Sequence, residues 1–173
     1  AFALEGGGDD DPRERDAVSG ARLYDEKTLF HGPSFCGVER VLNVSERRLT
    51  QRCRLPALDP VTQGQFPVQT FNPYLTDVHL QSLLIWAQRH QGVVGLPLRI
   101  ARGEQFRPAG FDQVTYATLE VQESSKHRLV ADVTITDAEG LVYSRVTGAE
   151  ITLSARLNEL FLQNELVEAP VYG

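Results

Sequence analysis

The chain has 173 residues and a formal net charge of −6, with 42% hydrophobic and 23% charged residues. These values are typical of one globular domain and exclude collagen-like, disulfide-rich and wholly disordered chains. Acidic residues outnumber basic ones, 23 against 17, so no general positive field favours a nucleic acid as partner. The longest strongly apolar stretch, residues 80 to 87, is shorter than the about 18–20 residues that a membrane span needs. We therefore expect a soluble, cytoplasmic domain that binds neither nucleic acid nor membrane.

The N-terminal segment is acidic and glycine-rich, and residues 5 to 21 carry almost no apolar side chains. Such a segment cannot bury enough surface to offset the entropy of ordering it, so we predict a linker over residues 1–22. The chain has no Met and no basic start typical of a secretory signal, which indicates a piece of a longer protein. Cys36 and Cys53 fit neither a CxxC pair nor a zinc-ligand spacing, and we expect both to be buried free thiols.

The middle of the chain predicts a strand pair followed by one helix. Apolar residues alternate with polar ones over residues 38–55, as in two strands joined by a turn. Pro73 then opens a run without Gly or Pro that continues to Arg89, just before Gly92. Proline in the first turn and glycine past the end are typical of a helix. Its apolar residues cover more than one face, so we expect it to be buried nearly all round.

The remaining chain has the composition of β-strands, rich in Val, Ile, Thr and Tyr. The residues from Asp137 to Gly140 are typical of a hairpin turn, in which Gly140 takes a positive φ. One buried helix followed by an antiparallel sheet predicts an α+β fold with the helix packed on the sheet. We place the folded domain at residues 23–157 and a C-terminal tail at 158–173. The predicted strands span residues 96–106, 113–123, 129–136 and 141–154.

Asp77, on the apolar helix, is the first candidate for chemistry. Gln81 lies four residues further on and therefore on the same helix face, so the carboxyl and amide groups can meet at one site. A carboxylic acid in an apolar pocket keeps its proton to higher pH than a solvated one, which suits a proton donor. An Asp near a helix N-terminus is also stabilised by the helix dipole without any catalytic role. The spacing alone leaves both interpretations open.

Two segments resemble motifs of polyketide synthase dehydratase domains. Residues 29–35, LFHGPSF, resemble the (Y/F)GPxF motif, and residues 72–81, NPYLTDVHLQ, resemble HPxxLDxxxQ. Both motifs belong to the second half of that family. The form of the motif with His before Gly-Pro resembles that of iterative, polyunsaturated-fatty-acid-like and enediyne-like synthases. Residues 95–108 also resemble the strand after the family's central helix, and the whole resemblance runs from about Leu23 to Leu157.

The resemblance implies a hot-dog fold, a long helix wrapped by an antiparallel sheet, here as the C-terminal half of a double hot-dog. It implies that Asp77, with Gln81, protonates the departing hydroxyl of a 3-hydroxyacyl thioester. A His of the other half removes the α-proton, which gives an enoyl thioester and water. The implied substrate-binding residues are His31, Gly32, Pro33, Phe35 and Pro73.

The implied substrate rides on the phosphopantetheine arm of an acyl carrier protein, and no metal or diffusible cofactor is needed. The implied partners are an upstream hot-dog half that carries the catalytic His, the acyl carrier protein, and a second copy in a homodimeric parent synthase. A half without its companion exposes an apolar edge, so we expect the isolated chain to self-associate.

The sequence departs from the family pattern at three points. Asn72 replaces the His of HPxxLD, Thr76 replaces its Leu, and no His of the chain opens an HxxxGxxxxP motif. We therefore expect the general base to be absent from this chain. His79 lies about 200° round the helix from Asp77 and is unsuited to that role, and we expect His31 to be a structural or substrate-channel residue.

Two alternative functions stay open. One is a non-catalytic hot-dog, structural or docking a carrier protein, whose departures at Asn72 and Thr76 mark a decayed site. The other is an acyl thioesterase on the same fold, since fold alone does not choose between thioester chemistries. An apolar acyl tunnel near Asp77 is also expected, although core packing explains the same side chains. The candidate tunnel residues are Phe30, Phe35, Trp86, Leu96 and Phe106.

Overall fold

A seven-stranded antiparallel sheet curves around one long helix in the computed structural model, which describes residues 17–65 and 67–164. The strands are β1 (Val18–Ser19), β2 (Val38–Val44), β3 (Arg48–Cys53), β4 (Val94–Gln105), β5 (Thr115–Ser125), β6 (Arg128–Thr136) and β7 (Val142–Ser154). The helices are α1 (Gly20–Asp25), α2 (Pro73–Gln91) and α3 (Ala155–Asn164), and Pro33–Phe35 forms one turn of 3₁₀ helix. The strand order is β1-β2-β3-β5-β6-β7-β4, so β4 forms one edge. The α+β prediction is confirmed.

Helix α2 is the centre of the core. Its N-cap is Asn72, whose side chain accepts a hydrogen bond from the Leu75 N–H at 3.0 Å, and it ends before Gly92. It packs against strands β2 to β6. Residues 81–87 are buried without a break, which covers all sides of the helix. The predicted helix and its nearly complete burial are both confirmed.

The predicted strands are confirmed with small shifts at their ends. Strand β6 buries every second residue and leaves the others half-buried, as its alternating sequence predicts. In the β6–β7 turn, Gly140 has φ 82°, and the Asp137 carboxylate accepts the N–H groups of Glu139 and Leu141 at 3.1 and 2.8 Å. Glycine takes this left-handed conformation at no steric cost, which is why the turn forms here.

The fold begins inside the segment predicted as a linker, residues 1–22. Val18 pairs with Val41 of β2, and α1 starts at Gly20. A Cβ atom at Gly20 would lie 1.7 Å from the Val38 carbonyl oxygen, so this glycine permits the close approach of the two backbones. The sequence pattern around Gly20 predicts a linker, because strand β2, which Gly20 packs against, is distant in the chain. The rest of the predicted linker, residues 1–16, lies outside the described residues.

The fold also continues past the predicted boundary at residue 157. Helix α3 runs on to Asn164, and Asn158 ties it to the end of α2. The Asn158 side chain accepts the Val94 N–H at 2.8 Å and donates to the Gly92 carbonyl at 3.0 Å. These contacts join segments far apart in sequence, so no local pattern marks them. Residues 165–173 of the predicted tail lie outside the described residues.

The two free cysteines differ in burial. Cys53 is fully buried, as predicted, and burial raises the pKa of its thiol to about 12. The prediction is wrong for Cys36, which is only half-buried. Cys36 follows the 3₁₀ turn, and its thiol lies 3.4 Å from the carbonyl oxygen of the exposed Gly32. Its position in this loop, outside the sheet, explains the difference.

Candidate active site

A cavity of about 280 Å³ opens between α2, the edge strand β4, strand β7 and the loop that holds His31. Most of its lining side chains are apolar, and Leu80, Leu84, Leu98 and Ile100 are examples. An apolar cavity with a few convergent polar groups is the arrangement expected of a small-molecule site. The polar lining residues are His31, Asp77, Gln81, Arg99 and Glu150.

One face of α2 supplies the wall of the cavity. Asp77, Leu80, Gln81 and Leu84 recur at intervals of three and four residues, which brings them together on one side of a helix. Trp86 lies nine residues after Asp77 and hence about half a turn away, on the opposite side. The same helix therefore carries part of the core on one side and the candidate site on the other.

The Asp77 carboxyl group is held through one of its two oxygens. The Gln81 amide donates to Asp77 Oδ2 at 3.1 Å, and His31 Nε2 lies 3.5 Å from the same oxygen. The Asp77 side chain is 41% exposed. The predicted meeting of Asp77 and Gln81 is present, and it holds the carboxyl group of a side chain that is partly exposed.

Gln81 is itself held by hydrogen bonds to two groups in the N-terminal part of the fold. Its Oε1 accepts the Tyr24 hydroxyl at 2.7 Å, and its Nε2 donates to the Phe35 carbonyl at 2.9 Å. Burial raises the pKa of Tyr24, so its hydroxyl remains a neutral donor. Tyr24 is a residue that the sequence interpretation missed. The only local signal is a tyrosine beside the buried Leu23, in a helix too short to show a periodic pattern.

His31 lies beside Asp77, where the sequence predicted a structural or channel residue. Its side chain is 14% exposed, and its ring stacks on Phe30 with the ring centroids 4.8 Å apart. Its Nδ1 atom is buried and has no hydrogen-bond partner among the described residues. Burial lowers the pKa of His31, and the nearby Asp77 carboxylate opposes this shift. The proximity of the two side chains was not predicted.

The other predicted substrate-binding residues do not line the cavity. Gly32 and Pro33 are exposed, and so is Pro73 in the first turn of α2. Phe35 contributes its backbone carbonyl to Gln81, while its ring packs against Tyr74 at a centroid distance of 5.3 Å. Their roles in substrate binding stay predictions, and Pro33 and Phe35 belong to the 3₁₀ turn that follows His31.

The expected tunnel residues are absent from the cavity lining. Trp86 is buried in the core, and its indole N–H donates to the Ser45 carbonyl at 3.0 Å. Leu96 and Phe106 are exposed, at 37% and 52%. The prediction fails because Trp86 is on the far side of α2, and because Pro97, Leu98 and Ile100 are the apolar residues of this edge that line the cavity.

The two substituted motif positions shape the start of α2. Asn72 caps the helix through its side-chain oxygen, and the Thr76 hydroxyl donates to the Asn72 carbonyl at 2.8 Å. His79 points away from the cavity, as its position on the helix predicts. It is fully buried with Nε2 2.8 Å from the Thr115 hydroxyl, and burial lowers its pKa to about 3.

A second carboxylate, Glu150 of β7, also lines the cavity. It is 7% exposed, and the Nε atoms of Arg99 and Arg128 lie 2.7 and 2.8 Å from its two oxygens. The hydrogen bond from Arg99 lowers the pKa of Glu150. A carboxylate neutralised by two guanidinium groups is a poor proton donor. Asp77 is therefore the better candidate for an acid.

Neither a metal centre nor a membrane span is present in the part of the chain that the structure describes. No group of three or more His, Cys, Asp or Glu side chains within it is arranged to hold a metal ion. No helix within it is long and apolar enough to cross a membrane.

Two sequence comparisons identify relatives of this chain. Residues 4–160 match the family described as polyketide synthase dehydratase N-terminal domain. The chain is also 34% identical over 114 residues to a polyunsaturated fatty acid synthase polypeptide of Thraustochytrium sp.. That match covers 65% of this chain but 4% of the synthase polypeptide. The family description names an N-terminal domain, whereas the motifs resemble the second half, so the assignment to one half stays a prediction.

Solved dehydratase domains share the fold. The dehydratase domain from the CurJ module of curacin polyketide synthase is 18% identical, with a TM-score of 0.64, and the match covers 82% of this chain and 51% of that one. The dehydratase domain of PpsC from Mycobacterium tuberculosis, solved in complex with C12:1-CoA, is 23% identical, with a TM-score of 0.61 and coverages of 80% and 52%. The chain thus spans about half the length of these solved chains. It has the predicted hot-dog fold and belongs to the polyketide synthase dehydratase family.

Proposed function

We propose that this chain contributes the acid to a 3-hydroxyacyl-[acyl carrier protein] dehydratase, a hydro-lyase, within a larger synthase. Asp77 is the acid, and Gln81 orients it. The observation that carries this proposal is the Asp77 carboxyl group in the wall of an apolar cavity, held through Oδ2 by Gln81 and part of a side chain that is 41% exposed. A 3-hydroxyacyl thioester has an apolar tail that suits the aliphatic lining and a hydroxyl group that needs a proton to leave.

In the proposed reaction a base removes a proton from the carbon next to the thioester carbonyl. The electron pair of that C–H bond forms the new double bond as the bond to the hydroxyl group breaks. Asp77 gives its proton to the departing oxygen, so the products are an enoyl thioester and water. The substrate is carried on the phosphopantetheine arm of an acyl carrier protein, and the step requires no metal or diffusible cofactor.

The base is expected on a companion hot-dog half. Two observations support this partner: the solved relatives are about twice as long as the matched region, and the edge strand β4 exposes a row of apolar side chains. Leu96, Leu98 and Ile100 are 37%, 61% and 49% exposed on that strand. An apolar edge strand is a site for pairing with another domain. We place the companion upstream, because the motifs resemble the second half, and expect the parent synthase to be a homodimer.

The proposal is tested with the protein extended through its neighbouring domains and a 3-hydroxyacyl thioester as substrate. Asp77→Asn removes the transferable proton and is expected to lower kcat about 10²- to 10⁴-fold, the usual contribution of a general acid. Asp59→Asn is the matched control, because Asp59 is exposed and the Asn side chain keeps an acceptor for the Val61 N–H. Dehydration that survives Asp77→Asn within about threefold would refute the role of Asp77.

The same assay separates the other candidates. A well-folded extended protein that dehydrates nothing favours a non-catalytic hot-dog, and release of free acid from the thioester favours a thioesterase. Extension upstream and extension downstream are compared separately. Activity that requires the upstream neighbour supports assignment to the second half, and activity that requires the downstream neighbour supports the N-terminal half.

A further inference from the structure

The two oxygens of the Asp77 carboxyl group have different surroundings. Gln81 Nε2 donates a hydrogen bond to Oδ2 at 3.1 Å, and His31 Nε2 lies 3.5 Å from the same oxygen. Oδ1 receives no hydrogen bond from the described residues. An oxygen that accepts one N–H group and faces a second nitrogen has less room for a proton than an oxygen without a hydrogen-bond donor. The geometry therefore distinguishes an anchored oxygen from a free one.

This distinction requires that His31 Nε2 carry a hydrogen. In a neutral imidazole one nitrogen is a donor and the other is an acceptor. Nδ1 of His31 is buried without a partner among the described residues. A buried N–H group without an acceptor is rarer in proteins than a buried lone pair without a donor. The tautomer with hydrogen on Nε2 leaves only a lone pair at Nδ1 and gives the Asp77 oxygen a donor.

The charge of His31 is set by its surroundings. Asp77 of α2 faces its Nε2, and Arg99 of β4 and Glu150 of β7 line the same cavity, where they pair with each other. The Cys36 thiol lies against the His31 backbone carbonyl at 3.6 Å rather than against the ring. Burial lowers the pKa of His31 and outweighs the effect of Asp77, so the ring is neutral at pH 7. A neutral ring offers a hydrogen-bond donor without placing a positive charge beside Asp77.

We propose that neutral His31 is a positioning residue for the acid: its Nε2–H, together with the Gln81 amide, anchors Asp77 Oδ2 and leaves Oδ1 to carry the transferable proton. This inference rests on the proposed dehydratase function and deepens it. It gives His31 a task that differs from that of the base, because His31 acts through Asp77 and transfers no proton itself.

The tautomer is measured directly by nitrogen NMR of the histidine rings in the full chain at pH 7, with His31→Gln identifying the His31 signals among those of four histidines. The expected result is a hydrogen on Nε2 and a bare Nδ1. A hydrogen on Nδ1 alone, or on both nitrogens, would overturn the proposal. This readout does not depend on any turnover, so it is separate from the test of dehydration.

Two substitutions then test the role in the extended protein. His31→Gln places an amide N–H near the position of Nε2 and is expected to keep kcat within about threefold, whereas His31→Leu removes the donor and is expected to lower kcat about 10-fold, the worth of one hydrogen bond in a buried site. Thermal unfolding of both variants is measured alongside. Equal kcat values for the two variants would overturn the proposal. A wild-type protein that carries hydrogen on Nε2 but catalyses no dehydration would instead refute the dehydratase function itself.

Discussion

Gln81 connects the acid to the body of the fold, and its replacement by Met is the most informative stability experiment. The side chain is 1% exposed and makes three hydrogen bonds, with Tyr24, the Phe35 carbonyl and Asp77, at 2.7, 2.9 and 3.1 Å. Met has nearly the same volume and flexibility, so Gln81→Met removes the hydrogen bonds without opening a large cavity. The change therefore isolates the polar contribution of this side chain.

The expected loss follows from the fate of each former partner. The Tyr24 hydroxyl keeps contacts with the Phe35 carbonyl at 3.3 Å and with the Val38 N–H at 3.1 Å, so it is not left without a partner. Asp77 is partly exposed and turns to water instead. Each lost hydrogen bond then costs about 1 kcal/mol net. We expect Gln81→Met to lower the free energy of unfolding by about 3 kcal/mol.

The assay is urea unfolding of the wild type, Gln81→Met, Tyr24→Phe and the double variant. Because Tyr24 and Gln81 are bonded to each other, the double-mutant cycle is expected to give a coupling energy of about 1 kcal/mol. Gln91→Met is the matched control on the same helix, where the amide donates to the exposed Ser124 hydroxyl and to no other group among the described residues. It is expected to change stability by less than about 0.5 kcal/mol. A loss below about 1 kcal/mol for Gln81→Met, or additive effects of Gln81 and Tyr24, would refute the network.

Two further predictions concern His79 and the edge strand. His79 has a pKa of about 3 in the folded chain and of about 6.5 in the unfolded chain. Between these pH values the unfolded chain binds more protons than the folded one. The free energy of unfolding is therefore expected to fall as the pH drops, by up to about 1.4 kcal/mol per pH unit. His79→Gln is expected to flatten this slope in urea unfolding at several pH values, and an unchanged slope would exclude His79 as its source. The chain without its companion half is expected to self-associate through β4 in sedimentation experiments, and Leu96→Lys should weaken the association. Leu141→Lys, a control at an exposed residue in the β6–β7 turn, should not, and equal behaviour of the two variants would place the contact elsewhere.

Regular elements could be predicted because their signals are local. Pro73 and Gly92 mark the two ends of α2, and the alternation in β6 follows from one buried face. The errors arise where long-range contacts decide the structure. Gly20 has the composition of a linker residue, yet it packs on the Val38 backbone. Nothing within a few residues of Gly20 indicates this strand, so the boundary could not be read from the sequence.

The candidate site likewise combines contacts that the sequence predicts with contacts that it does not. Asp77 and Gln81 are four residues apart on one helix, and that spacing alone brings them together. Tyr24 reaches Gln81 across 57 positions of sequence. His31 reaches Asp77 from the loop before the 3₁₀ turn, where Phe35 packs against Tyr74. Contacts of this kind follow from tertiary packing rather than from periodicity. The motif resemblance drew attention to His31 but gave no indication that its ring lies beside the acid.

The two departures at the start of α2 bear on whether this site is intact. Asn is among the best N-cap residues, and Asn72 caps the Leu75 N–H with its side-chain oxygen. The Thr76 hydroxyl donates to the Asn72 carbonyl, which closes the first turn on itself. Both residues thus fix the beginning of the helix that carries Asp77, and neither of these hydrogen bonds involves its carboxyl group. Helix capping explains Asn72, whereas the Thr76 hydroxyl donates to a carbonyl that already accepts the Thr76 N–H. The choice between the catalytic and the non-catalytic alternative therefore depends on the companion half, and a companion without a catalytic His would favour the non-catalytic one.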